Sequence, residues 1–118
     1  MTTRRAVLVR AMALALLAGP LLSPSAVRAE IEILDDTGRS LRLAAPAQRI
    51  VSLAPHVTEL LFAAGAGGQV VGVVEYSDHP PQARDLPRVG GYSQVDLEAV
   101  AALAPDLVIG WQSGNREA

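Results

Sequence analysis

The sequence predicts an α/β fold: a parallel sheet in a three-layer arrangement with helices, joined to an N-terminal β-hairpin and preceded by an export signal. Three observations carry this. Short apolar runs with a β-branched bias occur at residues 50–53, 70–74 and 107–109, as in strands covered on both faces. Between the first two runs, Val57, Leu60, Leu61 and Ala64 recur at helical spacing and make one apolar face. A second helical stretch at residues 97–103 precedes the third run. Strands alternating with helices give βαβ units, whose crossovers are right-handed.

The chain opens on Arg4, Arg5 and Arg10, followed by an apolar run over residues 11–22 and the small-residue pattern Val27-Arg28-Ala29. This is the layout of a signal peptide over residues 1–29. The apolar run, about 12 residues, is too short to span a bilayer, which needs about 20. The pair Arg4-Arg5 leaves both the general secretory and the twin-arginine routes open. The chain contains no cysteine, which excludes a disulfide scaffold and a lipid-modified N-terminal cysteine. The product is expected to be free in the periplasm. Residues 30–118 hold six arginines, no lysine and twelve acids, a formal charge of −6. That balance argues against nucleic acid and anionic membranes as partners.

Residues 31–34 and 41–43 alternate apolar side chains around Asp35-Asp36-Thr37-Gly38, a hairpin signal. The hairpin is expected at the edge of the sheet and packed on it. Ala44 to Gln48 is a connector. In the central unit Ala54 precedes a proline and is held extended, while Pro55 suits the first helical position. The helix is expected from about Pro55 to Ala64, with its buried face on Val57, Leu60, Leu61 and Ala64. Phe62 belongs to the core. Periodicity is lost over residues 75–95, where prolines and glycines leave room only for a short helical turn near residues 81–84. Asp96 is a good N-cap for a helix that buries Leu97, Val100, Ala101 and Leu103.

All three strand ends therefore point the same way. They present Pro55-His56, Glu75-Tyr76 and Gly110-Trp111 at the edge where open α/β sheets bind ligands. Phe62, Tyr76, Tyr92 and Trp111 are the only aromatic residues besides the histidines, and the last three fall at this edge or in the long loop. Flat rings with polar tips suit a broad, partly apolar ligand. Enzyme readings are poorer. Ser77, Asp78 and His79 are chain neighbours, and neighbours rarely face one another as a triad. His56, Glu59, Asp78 and His79 match no metal-ligand spacing. No catalytic residue and no metal ligand is assigned, and no glycine-rich phosphate loop opens a helix.

Arg49 to Pro55 with Thr58-Glu59-Leu60, then Tyr76-Ser77-Asp78-His79-Pro80-Pro81, Val89-Gly90-Gly91-Tyr92, Asp96-Leu97-Glu98 and Pro105 to Trp111 resemble, in unbroken order, the periplasmic substrate-binding proteins of ABC importers with a helical backbone. The run from Tyr76 is most similar to the cobalamin-binding branch. The resemblance implies two α/β lobes joined by a long helix, with ligand in the cleft. Residues 30–118 would form the N-terminal lobe alone, so the chain is expected to be truncated. The resemblance also implies ligand contacts from Pro55, His56, Tyr76 and Tyr92, which Trp111 joins by its place at the end of the third strand. Tyr92 stands where that branch usually has Trp, and His56 where a small or polar residue is usual. Glu98 would dock on the permease, and acids in a first helical turn are exposed and available for charge-assisted pairs.

The expected function is capture without chemistry. A monomer would bind cobalamin or a related corrinoid and hand it to the permease. The alternative within the class is an iron-siderophore or haem carrier. An anionic siderophore would call for cleft cations, of which Arg84, Arg88 and Arg116 are the candidates. Outside the class stand a small exported hydrolase and a ligand-free adaptor domain.

Overall fold

The computed structural model describes residues 29–116. The signal peptide read at 1–29 lies outside the described residues except for Ala29. The hairpin forms as expected. Strand β1 (Ile31–Leu34) pairs antiparallel with β2 (Ser40–Leu43). Its turn is tied by Asp35, whose carboxylate accepts the backbone N–H groups of Thr37 and Arg39, both at 2.9 Å. The Thr37 hydroxyl and the Arg39 backbone hold this carboxyl down to about 2. One expectation fails: the hairpin is a separate two-stranded sheet and adds no strand to the main one. Ile33 and Leu34 are exposed.

The main sheet is parallel, in the order β4-β3-β5. Strand β3 (Ile50–Ser52) is central and wholly buried. The chain leaves it through helix α1 (Pro55–Ala63) to reach β4 (Val70–Val73) on one side. It returns through helix α2 (Leu97–Ala102) to β5 (Leu107–Ile109) on the other side. A topological switch point therefore sits at the carboxyl end of β3. The alternation of β3 separates the layers. Ser52 meets Thr58 of α1, while Val51 belongs to the cluster packed on Ala99, Val100 and Leu103 of α2 and its end.

Both helices bury narrower faces than their apolar spacing implies. In α1 only Val57 and Thr58 are buried, and Leu60 is 64% exposed. In α2 Leu97 and Ala101 are exposed, and packing comes from Ala99, Val100 and the adjoining Leu103. Phe62 is half-buried and lies against Gly67 instead of in the core. Asp96 caps α2 as expected, accepting the Ala99 N–H at 3.0 Å.

The long loop is more ordered than its composition implies. A short 3-10 turn spans Pro81–Asp85. The chain then runs beside β4: Val73 N–H donates to Pro87 O, Val89 N–H to Val73 O and Glu75 N–H to Gly90 O, all at 2.9 Å. Gly90 closes this ribbon at φ +96, where an added Cβ would stand 2.5 Å from the Gln94 carbonyl. No other residue fits there without rebuilding the turn.

At the opposite edge of the sheet, Asp106 accepts the backbone N–H groups of Gln48 and Arg49 at 2.8 and 2.9 Å. Those two bonds lower its pKa. A carboxyl lowered by folding stabilises the native state above the ordinary carboxylate range, and that contribution is lost as pH falls through the lowered value. Asp106→Asn should therefore melt below the wild type at pH 7. The difference should close as the pH drops below about 4, measured by thermal melts across pH. A difference that persists at low pH would contradict this role.

Candidate functional site

The carboxyl edge of the sheet is level. Leu53 N–H donates to Ile109 O at 2.9 Å and Val74 N–H to Ser52 O at 3.2 Å, so the three strands end side by side. The turn after β3 is built as expected, with Ala54 extended at φ −150 and proline at the start of α1. Pro55 is half-buried and His56 is exposed. The His56 imidazole stands edge-on to the Trp111 indole, with ring centres 5.2 Å apart and planes at 87°.

Tyr76, Tyr92 and Trp111 are 74%, 45% and 44% exposed. None plugs into the interior. Tyr76 follows the end of β4 with φ 65, a left-handed conformation that tyrosine rarely adopts. Strain of this kind collects at ligand sites. The neighbouring Glu75 N–H is bonded to Gly90 O, two residues before Tyr92. The edge thus brings His56, Trp111, Tyr92 and Tyr76 onto neighbouring loops. Glu98 stands apart from these contacts, exposed in the first turn of α2. His79 is also elsewhere, bordering a hollow on the outer side of α1 with Glu59, Phe62 and Ala63.

Beneath the edge lies a group of hydroxyls that sequence reasoning missed. Ser52, Thr58 and Ser77 are 0%, 0% and 1% exposed. The Thr58 hydroxyl is 2.9 Å from that of Ser52 and 3.1 Å from that of Ser77, and the Ser52 hydroxyl donates to Ala54 O at 3.1 Å. Central strand, helix start and Tyr76 loop are tied at one point. The only local signal was a serine interrupting an apolar strand. Arg88 straps the same loop. Its guanidinium donates to Ser77 O at 3.2 Å and to the Asp78 carboxylate at 3.2 Å. Arg84 Nε donates to Asp78 O at 3.2 Å. Two of the three candidate cleft cations are thereby engaged in holding the loop.

Asn115 is a second residue that sequence reasoning passed over. Its Oδ1 accepts the Trp111 N–H at 2.6 Å, and its Nδ2 donates to Leu53 O at 3.0 Å and to Tyr92 O. The end of β3, the Tyr92 loop and the Trp111 turn meet on this one side chain. A 62-residue separation from Leu53 leaves no local pattern to find.

An α/β unit with exposed rings at a switch point has the layout of a ligand site. The chain belongs to the periplasmic binding protein family, whose profile matches residues 50–118. It is 53% identical over 70 residues to the vitamin B12-binding protein of Vibrio cholerae, a match that covers 59% of this chain and 25% of that protein. The chain thus spans about a quarter of the length of the curated relatives it matches. The crystal structure of the Vibrio cholerae periplasmic vitamin B12 binding protein superposes with a TM-score of 0.57 at 53% identity, over 59% of this chain and 28% of that one. The periplasmic haem-binding protein RhuT from Roseiflexus superposes with a TM-score of 0.52 at 42% identity, over 54% of this chain and 25% of that one.

Proposed function

We propose that this chain is the N-terminal lobe of a periplasmic solute-binding protein that captures cobalamin or a related corrinoid and delivers it to the permease of an ABC importer. The observation that carries this is the exposed ring set Tyr76, Tyr92 and Trp111 on the carboxyl edge of the sheet, in a chain similar to vitamin B12-binding proteins. In this reading Pro55 and His56, in the turn after β3, also contact the ligand. Flat apolar rings match the two faces and rim of a corrin. The engagement of Arg84 and Arg88 with their own loop disfavours an anionic iron-siderophore. Haem is the second reading, favoured by the likeness to a haem-binding protein at 42% identity and by a histidine on the ledge.

In this reading the chain acts by binding and release, with no catalytic step. Residues 1–29 direct export through the general secretory or the twin-arginine route and are removed. Residues 30–118 are one lobe of a two-lobe monomer, with the second lobe closing over the ligand. Equilibrium dialysis of the full chain against cyanocobalamin, haem and a ferric siderophore tests the reading. Retention of cyanocobalamin in preference to the other two is expected. Preference for haem would establish the second reading, and turnover of an ester or phosphate panel would refute both.

Glu98 is the docking residue in this scheme. Its carboxylate is exposed on α2 and has no part in the ring contacts. Glu98→Ala should leave cobalamin affinity unchanged and reduce uptake in cells, because a charge at the rim of a docking surface acts on the encounter with the partner. Normal uptake with this substitution would remove the assignment.

A further inference from the structure

The Tyr76 and Tyr92 loops are tied down by side chains from other segments. Trp111 is different, because the five-residue turn that it opens folds back on it. Gly114 N–H and Asn115 N–H both donate to Trp111 O, at 3.0 and 2.8 Å. The Trp111 N–H returns to Asn115 Oδ1 at 2.6 Å. The indole lies over the bare Cα of Gly114, where an added Cβ would collide with its six-membered ring. On another side the indole meets His56 edge-on. Gly110 leaves room for the amide, since a Cβ there would be 3.3 Å from Asn115 Oδ1. The amide orientation follows from its partners: two carbonyls require the NH2 group and one N–H requires the oxygen.

We infer that Asn115 and Gly114 form a positioning device for the ligand rings: the Asn115 amide fixes Trp111 and the Tyr92 loop to the end of β3, and Gly114 sets the plane of the indole. This deepens the proposed function and rests on the ledge being the ligand site. Neither residue need touch the ligand. Asn115 acts by holding two rings in place before the ligand arrives, so that little ordering remains to be done on binding. Aspartate cannot replace it. A carboxylate would keep the acceptor for Trp111 N–H but would turn an oxygen towards the carbonyls of Leu53 and Tyr92, with no proton to share.

Trp111 is the sole tryptophan of the 118-residue chain, so in that chain its emission reports this turn. In the ligand-free full chain, Asn115→Ala should raise acrylamide quenching of Trp111 clearly above wild type. It should also weaken cyanocobalamin binding roughly tenfold, as expected for the loss of a bridging amide. Asn115→Asp should be worse at pH 7 and recover in part near pH 4, where a protonated acid can again donate to a carbonyl. Unchanged quenching together with unchanged affinity in both variants would overturn the inference. If Asn115→Ala fails to fold, Gly114→Ala decides, since it crowds the indole and leaves the amide in place. Altered quenching and weaker binding support the inference, and wild-type values for both overturn it. If the wild type retains no cyanocobalamin while Asn115→Ala still alters the quenching, the positioning role stands and the ligand reading falls.

Discussion

Tyr76→Gly combined with Tyr92→Ala is expected to weaken cobalamin binding by about 3 kcal/mol, on the order of a hundredfold. The figure comes from area. A flat ligand covering about 60 Å2 of each ring gains about 1.5 kcal/mol per ring at ~25 cal/mol per Å2. Glycine is chosen at position 76 for a physical reason. Tyr76 has φ 65, a conformation costing L-residues about 1 kcal/mol that glycine adopts freely. The substitution should therefore stabilise the fold slightly while removing the ring. A thermal melt that holds or rises, beside a calorimetric affinity that falls, separates recognition from folding. Undiminished affinity in the double variant would show that the rings are not the binding surface.

Thr58→Val should destabilise the chain by about 2 kcal/mol although it conserves volume and adds apolar character. The residue is fully buried between the hydroxyls of Ser52 and Ser77. Valine would strand the Ser77 hydroxyl in the interior. A buried polar group left without a partner costs about 1–3 kcal/mol, more than the gain from one extra methyl. For a domain of this size that corresponds to a melting shift of roughly 10 °C. Thr58→Ser should lose less, because it keeps the hydroxyl. Removing both partners in Thr58→Val with Ser77→Ala should recover much of the loss, since the stranded group is then gone. Equal or greater stability of Thr58→Val alone would mean that the hydroxyl cluster is not what ties the Tyr76 loop to the central strand.

The legible part of the molecule was what short-range pattern encodes. The runs at residues 50–53, 70–74 and 107–109 became β3, β4 and β5, bounded by the proline and glycine signals that flank them. Pro55 opened α1 and Asp96 capped α2 because both roles depend only on neighbouring backbone. The aromatic edge followed from strand direction alone. Periodicity failed where it counted apolar residues without knowing what they would meet. Leu60 and Leu97 fit a helical stripe yet are 64% and 61% exposed, while the contact between α1 and the sheet passes through Thr58 and Ser52. The hairpin was legible as a hairpin but not as a separate sheet, because local alternation carries no information about the partner of its outer edge. Asn115, Arg88 and the ribbon at residues 87–90 all depend on contacts between distant segments. No composition rule reaches across such separations.

The strength of the ledge lies in its rigid support. The rings stand on loops tied to the ends of buried strands, through Ser77 under Tyr76 and Asn115 beneath Tyr92 and Trp111. A surface fixed in this way can recognise a broad rigid ligand with little loss of entropy. The most direct measurement is a titration of the full chain with cyanocobalamin, following Trp111 emission at fixed protein concentration. Saturable quenching at one ligand per chain, abolished by Tyr76→Gly with Tyr92→Ala at the same ligand concentration, is the expected result. Binding detected by dialysis with Trp111 emission unchanged would place the ligand away from the carboxyl edge and contradict the account.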